Sequence, residues 1–387
     1  MQNFEYQTPT KLFFGQGVIV KLPEVLSALG KKVLLTYGGG SIKRIGLYDK
    51  VKDLLPDFEI TELPGIQPNP RYDPSVLDGV RLCKDNGIEV ILSVGGGSVL
   101  DCSKAIAAGA CYEGDPWDLI SYKVKARRAL PIVDIITLAA TGSEYDSGGV
   151  ISRTETNDKI GYIDDLLFPV ASFLDPVYTF SVSRKQTAAG IADAMNHVME
   201  QYFVEDSTLL NDGMCEAALK SLMVNGKACL DNPEDYRARA EMMFDCTLAC
   251  NGIFSCGNSP GGWPCHGIEH ALSGFYDITH GEGLAIITPH WMRHILSERT
   301  LPRFVKYAVN VFGIDPSLPE MEIARRGIDA TAAFFSEIGI PMHLKDVGIG
   351  PERIGEMARH IAGNEGLEHA WAPLAEADIA AILRASL

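Results

Sequence analysis

Residues 90–94 (VILSV) are almost wholly apolar and run without a break into Gly95-Gly96-Gly97-Ser98 and a small-residue helical stretch over 99–110. A short apolar run that leaves no face for water reads as a strand covered on both sides, the habit of parallel sheets packed between helices. The pattern recurs upstream. Residues 32–37 (KVLLTY) end in Gly38-Gly39-Gly40-Ser41, and a helical pattern follows to about residue 55. Further strands are expected at 59–63, 132–138 and 170–174, with a helix over 74–86. Residues 8–14 (TPTKLFF) read as an added strand at a sheet edge or a dimer contact. Strands alternating with helices predict an α/β architecture with a mostly parallel sheet.

After Asp175-Pro176 strand-like runs almost vanish. Helical periodicity takes over at 187–202, 209–223, 233–251 and 323–338. At 387 residues the chain exceeds the ~250–300 at which one core usually splits. The expected organisation is therefore an α/β domain over 1–180 and an all-helical domain over 181–387. Fifty acidic against 34 basic side chains leave a charge of −16, which repels nucleic-acid phosphate and anionic lipid. No apolar run reaches the ~18 residues of a membrane helix. The start, Met1-Gln2-Asn3-Phe4-Glu5-Tyr6, lacks the basic and apolar regions of a signal peptide. Nine scattered cysteines, an odd number, read as reduced thiols in a cytoplasmic protein.

A strand that turns through glycines into a helix can cradle phosphate. Glycines allow close backbone approach, and the helix start offers free N–H groups and a positive dipole end. Gly95–Ser98 fits that pattern, with Asp101 one turn into the helix, although the run does not match G-x-G-x-x-G. Gly38, Gly39, Gly40 and Ser41 form a second such turn. In a nucleotide-binding sheet one turn can hold the pyrophosphate and its neighbour the adenosine ribose. An acid beside the ribose favours a free 2′-hydroxyl. Here Lys43 is near and no acid precedes Asp49, which suits NADP better than NAD. A third turn, 137–144 (TLAATGSE), can hydrogen-bond phosphate or nicotinamide, or can cap a following helix. The sequence alone favours the cap.

Six of the nine histidines fall between positions 197 and 294. Asp193 and His197 are four apart in a good helical segment, so they share one face and can grip one cation. His266 and His270 repeat the spacing, and His280 follows in a Gly-bounded turn. One carboxylate and three imidazoles suit Fe²⁺ or Zn²⁺ with a position left open for substrate. A single helical histidine is more often packed or solvated than a ligand, and His290 and His294 are read that way. A thiolate site is disfavoured: Cys246 and Cys250 fit an apolar helix face, and there is no C-x-x-C pair. Cys265, beside His266, is the thiol expected to be open to oxidation.

Taken together, these blocks resemble the iron-dependent (group III) alcohol dehydrogenase family over nearly the whole chain. They are 13–17 (FFGQG), 95–101 (GGGSVLD), 137–144, Leu174-Asp175-Pro176, 191–197 (IADAMNH), 265–270 (CHGIEH) and His280-Gly281-Glu282. The 37–41 block (YGGGS) is most similar to the NADP-dependent butanol dehydrogenase and broad-range aldehyde reductase branch. The resemblance implies a dinucleotide-binding N-terminal domain, a helical C-terminal domain, a metal in the cleft between them, and a homodimer, through the N-terminal strand. It implies Asp193, His197, His266 and His280 as metal ligands and Gly95, Gly96, Gly97 and Ser98, followed by Asp101, as the pyrophosphate turn. Thr137, Leu138 and Thr141 match nicotinamide-side contacts, Lys159 a cofactor-contacting lysine, Asn69 a position near the adenine ribose, and His270 a histidine close to substrate. Leu138 stands where many relatives carry a second threonine. The Gly/Pro-rich stretch 255–264 departs from the family's usual approach to the ligand helix.

The implied reaction is reversible hydride transfer between NADP(H) and an aldehyde/primary alcohol pair. The metal, Fe²⁺ ahead of Zn²⁺, would act as Lewis acid, and the hydride chemistry would belong to the cofactor. A proton could come from His270, a water or a cofactor hydroxyl. Trp263, Phe254 and Phe275 read as pocket walls or as ordinary core. Three other readings remain: a zinc- and NAD-dependent polyol enzyme of the glycerol dehydrogenase type, a non-redox enzyme of the dehydroquinate synthase type, and a non-catalytic binder. The second would need Lys or Arg around the ligands to hold a phosphorylated substrate, and 190–202 and 254–283 contain none.

Overall fold

The structure, a computed structural model, describes residues 1–387. It contains two compact units. One comprises Gln7–Ser183 with Asn232–Asn251; the other comprises Met1–Tyr6, Arg184–Asp231 and Gly252–Leu387.

The first unit is built on a six-stranded, wholly parallel sheet. Its strands are β1 (Lys11–Phe14), β2 (Lys32–Tyr37), β3 (Glu59–Leu63), β4 (Val90–Gly95), β5 (Ile132–Ile136) and β8 (Ala171–Leu174), in the order β1-β8-β5-β4-β2-β3. Side chains alternate across a sheet, and that alternation explains the uninterrupted apolar runs. Val90, Leu92 and Val94 join one hydrophobic cluster with Val33, Leu35, Val133, Ile135 and Phe173. Ile91 joins another with Leu34, Ile132, Ile136 and Leu174. Every residue of β4 and β5 is buried because both faces are covered. β1 is an edge strand, one of the two roles its sequence allowed.

Two features differ from the local sequence pattern. The helix expected after Ser41 breaks into Ser41–Arg44 and Leu47–Leu54, because Gly46 takes a left-handed backbone (φ 71°) between them. An antiparallel hairpin, β6 (Gly148–Arg153) and β7 (Asp158–Ile163), follows the third polar turn. Its strands are glycine-rich and partly solvated, so they carry little apolar signal.

The helix Tyr236–Ala249 packs on the sheet unit although it lies late in the chain. Met243 enters the sheet's apolar cluster, Thr247 Oγ1 lies 2.6 Å from Glu144 Oε1, and the Phe244 and Phe14 rings meet edge to face at 5.9 Å. The second unit is helical, its principal helices being Arg184–Tyr202, Leu209–Asp231, Pro264–Tyr276, His280–Ile295, Leu301–Phe312, Glu320–Glu337, Ile354–Asn364 and Glu376–Ala385. Arg184–Tyr202 is buried continuously from Thr187 to Tyr202. A helix buried on all sides has no solvated face on which to place charge, so Asp193, His197 and Glu200 within it need partners.

Candidate metal centre and cofactor turns

Asp193 and His197 sit one turn apart on Arg184–Tyr202, as i,i+4 spacing requires. His266 lies in the first turns of Pro264–Tyr276. His280 is the first residue of the helix His280–Ile295, where the sequence suggested a turn. Gly281 permits that start: a Cβ there would stand 2.0 Å from the Ala189 carbonyl oxygen, so only glycine lets the two helices meet at this point.

The three imidazoles converge on one oxygen. Asp193 Oδ1 is 3.5 Å from His197 Nε2, 3.7 Å from His280 Nε2 and 3.9 Å from His266 Nε2. Donor atoms of Asp193, His266 and His280 all lie within 4.8 Å of one another. Bonds of ~2.0–2.2 Å to a tetrahedral ion would separate neighbouring donors by roughly 3.4 Å, close to these spacings. Asp193 Oδ1 and His266 Nε2 are buried and accept or donate no hydrogen bond. Buried polar atoms normally have partners, and a shared cation satisfies both. The donor set therefore fits a divalent metal.

Electrostatics agree. Burial pushes the Asp193 carboxyl up, but His197, His266 and His280 around it outweigh that and hold it well below the usual carboxylate range. Burial drives the His197 imidazole down to about 3, leaving it neutral with a free lone pair. Burial also lowers His266, yet the Glu200 carboxylate beside it carries it up to about 9. Metal binding at Nε2 must then displace a proton.

Two residues absent from the sequence reading complete the centre. Glu200 Oε2 is hydrogen-bonded to His266 Nδ1, while its Oε1 accepts from the Cys265 backbone N–H at 2.6 Å. Glu269 Oε2 is hydrogen-bonded to His280 Nδ1, and its Oε1 accepts from the Ser273 hydroxyl. A signal was present: each carboxylate lies three residues after a candidate ligand histidine inside an otherwise buried helical stretch. Cys265 differs from expectation. It is fully buried, and burial raises its thiol well above the ordinary value, so it is not an accessible oxidation site.

The His270 ring stacks on that of His280 at 5.9 Å, and its buried Nδ1 has no hydrogen-bond partner. Trp263 presents its edge to His197 and His266 at 5.9 and 5.2 Å, on a left-handed backbone (φ 50°) unusual for a bulky residue. Phe254 is buried, and Phe275 lies under the Arg353 guanidinium at 4.3 Å.

In the sheet unit, the turns at 38–41, 95–98 and 137–141 follow β2, β4 and β5, which are neighbours in the sheet. They therefore open at the carboxyl ends of adjacent parallel strands, where α/β sheets bind ligands. No side chain caps the start of Gly97–Ala110, so its first N–H groups are available to an anion. At Gly97 a Cβ would stand 2.3 Å from Thr141 Oγ1, so glycine brings the second and third turns into contact. Thr141 Oγ1 accepts from the Ser143 N–H at 3.2 Å, and Ser143–Tyr145 forms only one tight helical turn with no side-chain cap at its start.

Asp101 faces inward. Its oxygens accept from the Ser143 hydroxyl at 2.7 Å and the Val150 N–H at 3.0 Å, and burial raises its carboxyl to about 6. Lys104, fully buried one turn on, donates to the carbonyls of Ser143 (2.7 Å), Asp146 (3.0 Å) and Gly148 (2.6 Å) and to Asp146 Oδ1 (2.7 Å). Together they hold the third turn in place. Lys159 lies in β7 opposite Ser152, whose N–H donates to Pro70 O at 2.8 Å. The hairpin thus carries Lys159 toward the turn that contains Asn69. Among these turn residues, Asn69, Asp101, Thr137 and Lys159 are buried.

Comparison with known proteins gives the same outline. Residues 9–176 match the iron-containing alcohol dehydrogenase family, and 187–387 match the C-terminal part of the Fe-containing alcohol dehydrogenase family. The chain belongs to the iron-containing alcohol dehydrogenase family. It is 46% identical over 369 residues to NADH-dependent butanol dehydrogenase A of Clostridium acetobutylicum, covering 95% of this chain and 94% of that one. It is 36% identical over 381 residues to NADPH-dependent aldehyde reductase YqhD of Escherichia coli, covering 97% and 96%. The crystal structure of NADH-dependent butanol dehydrogenase A from Thermotoga maritima superposes with a TM-score of 0.95 at 37% identity, covering 100% of this chain and 99% of that one. The protein is a metal-dependent oxidoreductase of the alcohol/aldehyde type. No helix is long and apolar enough to cross a membrane.

Proposed function

We propose that this enzyme interconverts aldehydes and primary alcohols with NADP(H), on one divalent ion, Fe²⁺ ahead of Zn²⁺, held by Asp193, His197, His266 and His280. The observation that carries the reading is the convergence of three Nε2 atoms within 3.5–3.9 Å of the single oxygen Asp193 Oδ1. When bound, the ion supplies a Lewis acid for the carbonyl oxygen and the cofactor supplies the hydride. The chain supplies position and charge. Asp193 lowers the net charge of the centre, the neutral imidazoles keep the ion electrophilic, and Glu200 and Glu269 hold two of the rings. His270, whose buried Nδ1 makes no hydrogen bond and lies 3.8 Å from Glu365 Oε1, stacks beside His280 and is the proposed proton handler. Gly95, Gly96, Gly97 and Ser98 bind the pyrophosphate, Thr137, Leu138 and Thr141 flank the nicotinamide, and Asn69 and Lys159 meet the cofactor from the hairpin side. Asp101 supports the pyrophosphate turn by tying its helix to Ser143 and Val150.

The preference for NADP rests on Gly38, Gly39, Gly40 and Ser41. Lys43 on the following helix lies over the rings of Tyr37 and Tyr48, at 5.1 and 4.6 Å. The acid nearest in the sheet, Glu62, is already engaged by the Tyr37 and Tyr48 hydroxyls, at 2.8 and 2.7 Å, and by Lys52 at 3.3 Å. A cation without a free carboxylate favours a 2′-phosphate over a 2′-hydroxyl. Butanol dehydrogenase A of Clostridium acetobutylicum is NADH-dependent and the aldehyde reductase of Escherichia coli NADPH-dependent, so the decisive experiment is kcat/KM for NADPH against NADH with butyraldehyde. A clear preference for NADH rejects the NADP assignment and leaves the reaction class intact. Homodimerisation through the exposed edge of β1 and a cytoplasmic setting complete the proposal.

A further inference from the structure

We propose that Glu200 and Glu269 are positioning residues that divide the metal donors into two tiers. Asp193, His266 and His280 hold the ion firmly, and His197 is the donor that can let go. The inference rests on the reading that these four residues hold a divalent ion.

The asymmetry lies in the far side of each ring. His266 Nδ1 is hydrogen-bonded to Glu200, and His280 Nδ1 to Glu269. Both carboxylates are buried, Glu269 completely, and each is anchored again through its other oxygen, Glu200 on the Cys265 N–H and Glu269 on the Ser273 hydroxyl. A histidine held this way has one tautomer and one ring orientation, and the carboxylate makes its Nε2 more basic. His197 has no such partner. Its Nδ1 is buried and makes no hydrogen bond. On its far side the ring is held by stacking on His266, at 4.8 Å and 13° between planes, and by a T-shaped contact with Trp263, while its Nε2 faces Asp193 Oδ1 at 3.5 Å. Stacking fixes a plane but adds nothing to ligand basicity. Donor spacing divides the same way: Asp193, His266 and His280 form the mutually close group, with His197 outside it. Two imidazoles and a carboxylate are already a set that retains Fe²⁺ with open positions. The site can therefore free a coordination position at His197 without losing its ion.

The test is Zn²⁺ affinity of metal-stripped full-length protein, by competition with a chromophoric chelator, with anaerobic Fe²⁺ retention in parallel. Glu200→Gln and Glu269→Gln are expected to weaken Zn²⁺ binding by about 10–100-fold. His266→Ala should abolish it, and His197→Ala should weaken it by less than either glutamate variant. Melting temperature separates positioning from structure: the metal-free variants should melt near the wild type, while the rise on adding Zn²⁺ shrinks. If Glu200→Gln does not fold, Glu269→Gln and its conservative counterpart Glu269→Asp carry the same comparison. Glutamate variants that bind Zn²⁺ as wild type does, or a His197→Ala protein as defective as His266→Ala, overturn the two-tier assignment alone. Wild-type protein that takes up neither Zn²⁺ nor Fe²⁺ overturns the metal reading and this inference with it.

Discussion

The proposed metal centre and the proposed cofactor turns are built in opposite ways. Around Asp193 the helical unit uses charged and ionisable side chains, held rigid by a second ring of carboxylates. Around Gly97 the sheet unit uses bare backbone, and its charged residues, Asp101 and Lys104, turn inward to brace the turn. A centre made of side chains fails when its chemistry is changed. A cradle made of backbone fails when its shape is changed.

That contrast orders the tests. His266→Ala should have the largest effect. It removes a donor, so several kcal/mol of transition-state stabilisation go with the ion, and kcat/KM should fall by roughly 1000-fold or more. Circular dichroism should stay native and elemental analysis should find no metal; full activity with retained metal would remove His266 from the ligand set.

Matched glycine substitutions come next. Gly281→Ala drives a Cβ into Ala189 O, and Gly97→Ala drives one into Thr141 Oγ1. Overpacking of this kind costs about 1–3 kcal/mol. The first should lower metal content and leave the cofactor dissociation constant unchanged; the second should do the reverse. Loss of both functions from either change would break the contrast.

The two regions should also respond to acid with opposite sign. In the helical unit, Arg303 (2.5 Å) and Lys306 overcome the burial of Asp212 and hold its carboxyl at about 2, below the ordinary aspartate value of about 3.9. The folded state then binds its proton less readily than the unfolded one. The stabilisation is present above pH ~4 and is lost as pH falls through about 2, a change of ~2 kcal/mol. Asp101 in the sheet unit is the converse. Raised by burial to about 6, it holds its proton more tightly when folded, so stability declines by ~3 kcal/mol as pH rises from ~4 through 6. Urea titrations of Asp212→Asn and Asp101→Asn across pH 2–7 should flatten the lower and the upper limb respectively. The smallest effect belongs to Lys43→Ala. Losing one charge-assisted contact of ~1.5 kcal/mol should raise KM for NADPH about tenfold and leave NADH unchanged. An equal change in both would detach Lys43 from the 2′ position.

Much of the sheet unit was legible because its signals are local. β2 and β3 fall at the expected residues, and β4 and β5 differ only at their ends; for β2 and β4 the reason is that a mostly apolar run ending in glycines has few alternatives. The pairing of Asp193 with His197 was equally local, one helical turn on one face. The hairpin β6–β7, the break at Gly46 and the capture of Tyr236–Ala249 by the sheet unit left weaker traces. Each depends on what packs against the segment rather than on its own periodicity. Glu200 and Glu269 were overlooked for the same reason: in sequence a glutamate near a histidine has many uses, and only burial removes all but one.

By itself the sequence determined the strands of the parallel sheet, the turns of bare backbone that follow them and the one helix face that pairs Asp193 with His197, because these follow from periodicity and from the properties of single residues. Tertiary structure alone decided that donors from three helices would share one oxygen's surroundings, that Asp101 would serve the fold from inside, and that two histidines but not the third would be braced by carboxylates. Such relations join residues far apart in the chain. They are set by packing and by the cost of leaving a buried charge without a partner, and no local pattern records them.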